Sequence, residues 1–225
     1  ILNLSKNGQI VFLPNSRFFK DEELNSDSFG KTLSKLADVV IIGGFSKAHR
    51  KNASNNAILK YKPAYLSNGF YQEIIKLKPW LKPKKNSLCI LGGVKKEKIT
   101  IGLNFLSKRY DYIIPAGLVL NTILKSTNQK IGSSIYHSKK KLILTKKIYT
   151  KYKHKFLMPN KFIVCDKNNY ERDRTIELKN IKKNEIIVGF DLSLEMHLIL
   201  KKCSYKKSQI LLAGTPSFIK KDFKE

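Results

Sequence analysis

The chain has 225 residues, long enough to bury a real core as one large domain or two small ones, and its 42% hydrophobic and 10% aromatic content is that of a globular protein rather than a disordered tail. Its formal net charge of +27 is extreme for this length. No apolar run approaches the roughly 20 residues of a membrane helix, so no membrane insertion is expected.

In chain order, the sequence begins at Ile1 without an initiator Met, and is read as a processed or trimmed form that leaves any targeting peptide out of view. Residues 1–30 do not form a secretory signal, because Asp21, Glu22 and Glu23 stand where an apolar segment belongs. QIVFL (9–13) and VVII (39–42) read as short strands. Between them Phe29, Leu33 and Leu36 recur at helical spacing after the candidate caps Ser26 and Asp27. KLKPWLKPKKN (76–86) has two prolines, a lysine cluster and no apolar period, which marks a boundary. Further on, LCIL (88–91), YII (112–114), FIVC (162–165), IIVGF (186–190) and ILLA (210–213) are candidate strands. Ile99, Leu103 and Leu106 mark one intervening helix; Leu194, His197, Leu198 and Lys201 mark another, capped by Ser193. Strands alternating with helices imply α/β architecture with mainly parallel sheets.

The three cysteines, Cys89, Cys165 and Cys203, are scattered, which fits reduced buried thiols better than a disulfide frame or a zinc site. The four histidines lack metal-ligand spacing. From Tyr112 to Cys165 there is no acidic residue, and within that span lies HSKKKLILTKKIYTKYKHK (137–155), basic and amphipathic with interleaved tyrosines. Two readings of the charge stay open. A+T-rich coding inflates Lys over Arg but does not by itself remove Asp and Glu. A polyanionic partner offsets the self-repulsion of such a surface. If that partner is RNA, the candidate contacts are Lys139, Lys140, Lys141, Lys146, Lys147, Lys151, Lys153 and Lys155. The tyrosines at 136–152 are able to stack on bases, although these spacings put about half of them in the core.

Residues 9–54 read QIVFLPNSRFFKDEELNSDSFGKTLSKLADVVIIGGFSKAHRKNAS, and residues 88–124 read LCILGGVKKEKITIGLNFLSKRYDYIIPAGLVLNTIL. Both resemble phosphoglycerate kinase, whose motifs E-N-x-R-F, A-D-x-x-V-N-D-A-F-G-x-A-H-R-A-H-A-S, L-G-G-x-K-V-x-x-K-I and G-G-[GA]-M-A-x-T-F occur in this order. The resemblance runs from about Gln9 to Phe223. It implies two Rossmann-like lobes with mainly parallel sheets joined by a hinge helix: residues 1–67 as a remnant of the substrate lobe, 68–86 as hinge helix and linker, and 87–225 as the nucleotide lobe. The substrate lobe is expected to hold only a reduced sheet.

By resemblance, Arg17 and Arg50 correspond to substrate arginines, whose planar forks hold phosphate oxygens. Inherited packing or general polyanion contact is the competing reading for both. Gly92, Gly93, Lys95 and Lys98 correspond to the phosphate side of the nucleotide site, Gly117 to its glycine run, and Asp191 to the G-L-D-I-G turn. Asp21, Glu22 and Glu23 fall on what the family makes a surface turn and helix entry. Other positions depart from the pattern. Ile42 and Gly43 replace Asn and Asp, Asn52 replaces a His, and Leu118 stands at the third glycine, where it crowds the base. Ala213 replaces an Asn, and Lys220 a ribose-binding Glu. The D-F-N, H-x-G-R-P and G-G-G-D-[ST] segments have no counterpart among the 225 residues, so the chain is expected to be truncated at both ends.

The expectation is a catalytically inactive phosphoglycerate kinase homologue without cofactor. It would act as a structural, RNA-contacting subunit among the neighbouring proteins of a large ribonucleoprotein, a divergent mitochondrial ribosome above all. The ribosome and the organelle rest on charge and A+T-like composition alone. The alternative is an active cytoplasmic enzyme from an A+T-rich organism, seen as a fragment, transferring a phosphoryl group between 3-phosphoglycerate and magnesium-ATP. A third possibility is a protein-binding subunit of another organellar assembly, its charge facing lipid or acidic protein.

Overall fold

The computed structural model describes residues 8–95, 97–168, 170, 173–205 and 208–215. It divides into two compact units between Pro79 and Trp80, within the 68–86 stretch.

The first unit holds helices α1 (Lys20–Glu23), α2 (Asp27–Ser34) and α3 (Asn68–Leu77) and strands β1 (Val40–Ile42) and β2 (Ala64–Leu66). The strands pair in parallel, Val40 opposite Ala64, as a sheet of two strands. Helix α2 lies tight against the 3₁₀ turn Ala57–Lys60: a Cβ on Gly30 would come within 2.6 Å of the Ala57 Cβ, so only glycine allows this approach. Asp27 fastens the same junction. It is bonded to the Lys60 ammonium at 2.7 Å and to the Tyr61 hydroxyl, and these partners hold its carboxyl below the ordinary aspartate range. The Ser67 hydroxyl caps α3 by accepting from the Phe70 N–H at 3.1 Å. The expected strand at 9–13 does not form; Ile10 is 83% and Phe12 91% exposed. A β-branched apolar run becomes a strand only beside another strand, and residues 9–13 join no ladder among the described residues.

The second unit contains two sheets. Strands β3 (Leu88–Leu91), β4 (Tyr112–Pro115) and β8 (Ile210–Ala213) form a parallel sheet in the order β4-β3-β8. Its central strand is buried, with Leu88, Cys89 and Leu91 fully inaccessible. Cover on one face comes from a π-helical stretch at Lys98–Leu103 that runs into α4 (Asn104–Arg109), from α5 (Gly117–Ser126) and from α6 (Lys139–Tyr152). Ile99, Leu103, Leu106, Val119, Ile123 and Ile148 pack there around Tyr110 and Ile113. Helix α7 (Leu194–Tyr205) covers the other face, where Met196 and Cys203 meet Leu88 and Ile114. Ser193 caps α7, accepting from the Met196 N–H at 3.3 Å. All three cysteines are buried and none is in a disulfide, and burial pushes the Cys89 thiol pKa up to about 12.

The second sheet departs from the mainly parallel expectation. β5 (Phe162–Asp166), β6 (Arg174–Ile176) and β7 (Glu185–Phe190) pair antiparallel in the order β6-β5-β7. The connections between these strands are short, whereas a parallel pair needs a crossover of a dozen or more residues. Leu120, Leu124 and Ile131 pack on this sheet, so α5 is buried between both sheets and is apolar nearly all round.

The buried Glu185 anchors the antiparallel sheet. Its carboxylate accepts from Arg174 Nε at 2.8 Å and Arg174 Nη2 at 3.0 Å, and from the Lys182 N–H at 2.8 Å. These donors, the Arg174 guanidinium first, hold its pKa below the usual glutamate value against the opposing effect of burial. A carboxyl whose pKa is depressed on folding stabilises the protein above its unfolded pKa, and that contribution disappears as pH falls through the folded value. Urea denaturation between pH 3 and 6 tests this. The stability difference between wild type and Glu185→Gln should be constant above about pH 5 and shrink on acidification. A difference independent of pH would contradict it.

Candidate functional site

Arg17 and Arg50 come together in the first unit. Both line a cavity of about 100 Å³ with Asn15, Lys47, Asn52 and Ser54. Local hydrogen bonds set this arrangement. Asn15 Oδ1 accepts from the Arg17 N–H at 3.1 Å and starts the 3₁₀ turn Ser16–Phe18. The Arg50 N–H donates to the Lys47 carbonyl at 3.0 Å, and Asn55 Nδ2 donates to that same carbonyl at 3.2 Å. Three cationic side chains around a small cleft suit an anion with several oxygens, and the buried Glu22 carboxylate lines the same cleft, held by Ser54.

The residue that sequence reasoning misplaced is Glu22. It belongs to the expected surface cluster with Asp21 and Glu23, and those two are exposed, but Glu22 is 2% exposed. Its carboxylate accepts from the Ser54 N–H at 2.9 Å and the Ser54 hydroxyl at 2.5 Å, while its own carbonyl accepts from the Ala53 N–H at 2.9 Å. Glu22 thus ties α1 to the segment after Arg50. The small residues Ala53 and Ser54 are the only hint in the sequence, since a bulky side chain at either would block this contact.

Apart from Asp191, the nucleotide-site candidates follow the C-terminal ends of parallel strands, where open α/β sheets place their ligands. Gly92 and Gly93 follow β3, and the second has a φ of +90°. They lie against the segment after β8: a Cβ on Gly214 would sit 2.6 Å from the Gly92 carbonyl oxygen. The Gly92 N–H donates to the Ala213 carbonyl at 3.1 Å and the Gly93 N–H to the Thr215 carbonyl at 2.9 Å. These bonds extend the β3–β8 pairing beyond Leu91 and Ala213. Lys98 lies close to Gly93, its Cε 3.7 Å from the position of a Cβ there, and Lys95 is exposed. Gly117 opens α5 at a φ of +50°, and Leu118 behind it is buried. Asp191 ends β7 on the other sheet, where its N–H donates to the Lys161 carbonyl at 3.2 Å. Ala213 carries no side-chain amide. The glycine frame and two lysines persist. Lys220 lies outside the described residues.

The basic stretch forms α6 and the 3₁₀ turn Lys153–Lys155. Thr145 and Ile148 are buried, and Leu144, Tyr149 and Tyr152 pack on the core, Tyr149 edge-on to Phe156 at 5.2 Å between centroids. The opposite face carries Lys139, Lys140, Lys146, Lys147 and Lys151, all exposed, around an Ile143 that is 74% exposed. Lys153 is exposed beyond the helix end. Two candidates need correction. Lys155 donates to the Tyr110 carbonyl at 2.9 Å, which ties it to the fold, and Lys141 is half-buried. Burial pushes the Tyr149 hydroxyl pKa up, as its packing requires.

A family model described as phosphoglycerate kinase matches residues 1–224. Curated relatives include the phosphoglycerate kinase of Dictyoglomus turgidum, 34% identical over 80% of this chain and 46% of its own length. That of Finegoldia magna is 31% identical over 92% of this chain and 53% of its own length. The chain thus spans about half the length of these relatives. The phosphoglycerate kinase structure from Coxiella burnetii superposes with a TM-score of 0.73 at 24% identity, covering 90% of this chain and 53% of the other. The enzyme from Pyrococcus horikoshii OT3 gives 0.69 at 21% identity, covering 90% and 54%. At that identity the structures report on fold alone, which they share with this chain.

The buried role of Glu22 separates it from its neighbours by measurement. Glu22→Ala leaves the Ser54 N–H and hydroxyl unpaired and should lower stability by about 1–3 kcal/mol. Asp21→Ala and Glu23→Ala should each stay within about 0.5 kcal/mol of wild type. Equal effects at all three positions in denaturant titrations would restore the surface-cluster reading.

Proposed function

The chain belongs to the phosphoglycerate kinase family, and from that premise we propose that it is a catalytically inactive derivative serving as a structural, RNA-contacting subunit of a large ribonucleoprotein, a divergent mitochondrial ribosome first among these. The observation that carries the reading is the exposed lysine face of α6, set in a span from Tyr112 to Cys165 that contains no acid. Five ammonium groups on one solvent face, with no carboxylate in that span to pair with them, favour a polyanion. Loss of turnover is supported by substitutions inside the chain. The Gly92 and Gly93 amides are bonded internally, Leu118 replaces a glycine, Ala213 an Asn and Lys220 a Glu. The organelle and the ribosome rest on composition alone.

One observation favours a second reading, an active kinase acting on 3-phosphoglycerate with magnesium-ATP. Arg17 and Arg50 still share a cleft with Lys47. A cleft for an anion does not supply a phosphoryl donor, however, and the same cations suit a backbone phosphate of RNA.

Lysine contacts phosphate as a point charge and discriminates sequence poorly. Each neutralised phosphate of a single strand adds about 0.7 to the steepness of log affinity against log salt, so five engaged lysines give a slope of about −3 to −4. Replacing Lys139, Lys140, Lys146 and Lys147 by Gln should flatten that slope and weaken binding evenly across RNA sequences. An affinity independent of salt would assign the charge to compositional drift.

A further inference from the structure

The second unit contains a cavity of about 460 Å³ that none of the inherited positions accounts for. Its apolar lining includes Tyr149, Met158 and Phe162, and its polar rim includes Gln129, Asn160, Lys161 and the ion pair of Glu177 with Lys179 at 2.7 Å. Phe162 is buried and Met158 half-buried, so the floor belongs to the packed core, while Gln129, Asn160 and Lys161 are exposed. The amide side chains of Gln129 and Asn160 take no hydrogen bond among the described residues, and Lys161 is in no ion pair there. An apolar slot edged by free amides, each offering a donor and an acceptor, matches the needs of a planar heterocycle.

The position of the cavity decides which heterocycle. Tyr149 belongs to α6, and Lys146, one turn earlier at i−3, is its neighbour on the helix surface. Tyr149 thus links the cavity to the edge of α6 that carries Lys146. A strand whose phosphates follow that edge would pass beside the cavity, with Lys161 on the rim for a further phosphate. We infer that the cavity receives one unstacked base of single-stranded RNA. Tyr149, Met158 and Phe162 would form its apolar bed, and Gln129 and Asn160 would bond its edge. A base held in a duplex has no free face or edge to offer, so the site separates single-stranded from paired RNA, which the lysines alone do not. This deepens the RNA reading and rests on it.

The test compares a single-stranded RNA with a duplex of equal length at fixed salt, using wild type and Asn160→Trp, a rim substitution that fills the mouth without touching the core. Wild type should bind the single strand about tenfold more tightly, in keeping with the stacking of one base. Asn160→Trp should abolish that preference and keep the salt slope. A second variant, Gln129→Ala with Asn160→Ala, should level the affinities for the four homopolymeric single strands. Equal binding of single strand and duplex by wild type, or an undiminished preference in Asn160→Trp, would overturn the cavity proposal while leaving the lysine face intact. Absence of salt-dependent binding to either RNA would overturn both.

Discussion

Strand β3 is paired on both sides, in parallel, to β4 and to β8, and the rest of the second unit depends on that double pairing. Parallel neighbours require crossovers, so α4 must return the chain from β3 to β4, and the long excursion through α5, α6, the antiparallel sheet and α7 must return it to β8. The same geometry brings the segments after β3 and β8 side by side. Gly92 and Gly214 come so close that no side chain fits between them. The place where this fold would admit a phosphate is therefore also where two backbone segments bond to each other.

Three acids of this chain fasten parts of it to one another. Glu22 fastens the segment after Arg50, Asp27 binds Lys60 and Tyr61, and Glu185 binds Arg174. With 17 acids against 44 Lys and Arg, few carboxylates are left to compensate the lysines on the surface. The imbalance is concentrated on α6, a helix held down by Thr145, Ile148, Tyr149 and Tyr152 on its other side. Its packing is that of an ordinary amphipathic helix; its solvent face is not, because exposed helices usually alternate charge signs.

Much of this was legible in the sequence where burial writes a period. LCIL, YII, FIVC, IIVGF and ILLA all form strands, since short apolar runs in an α/β chain have few other uses. Ile99, Leu103 and Leu106 lie on one buried face even though the backbone there begins as a π-helix. Other features left no such trace. β2 is exposed throughout and carries no alternation, and α5 is buried on nearly every side and so has no amphipathic stripe. QIVFL has strand chemistry without a neighbouring strand. At the candidate sites, motif matching brought Arg17 and Arg50 to one cleft, whereas Glu22 was hidden because burial of one acid among three depends on which face of a four-residue helix meets the Ser54 segment. The cavity beside Tyr149 was also invisible, because its lining comes from four separate stretches of chain.

The central proposal is that this scaffold has kept its sheet and lost its nucleotide site. Calorimetric titration of magnesium-ATP into the protein addresses it most directly. With the Gly92 and Gly93 amides bonded to the 213–215 segment and no Asn at position 213, the account predicts no saturable heat below the millimolar range. A single saturable isotherm with micromolar affinity would contradict it.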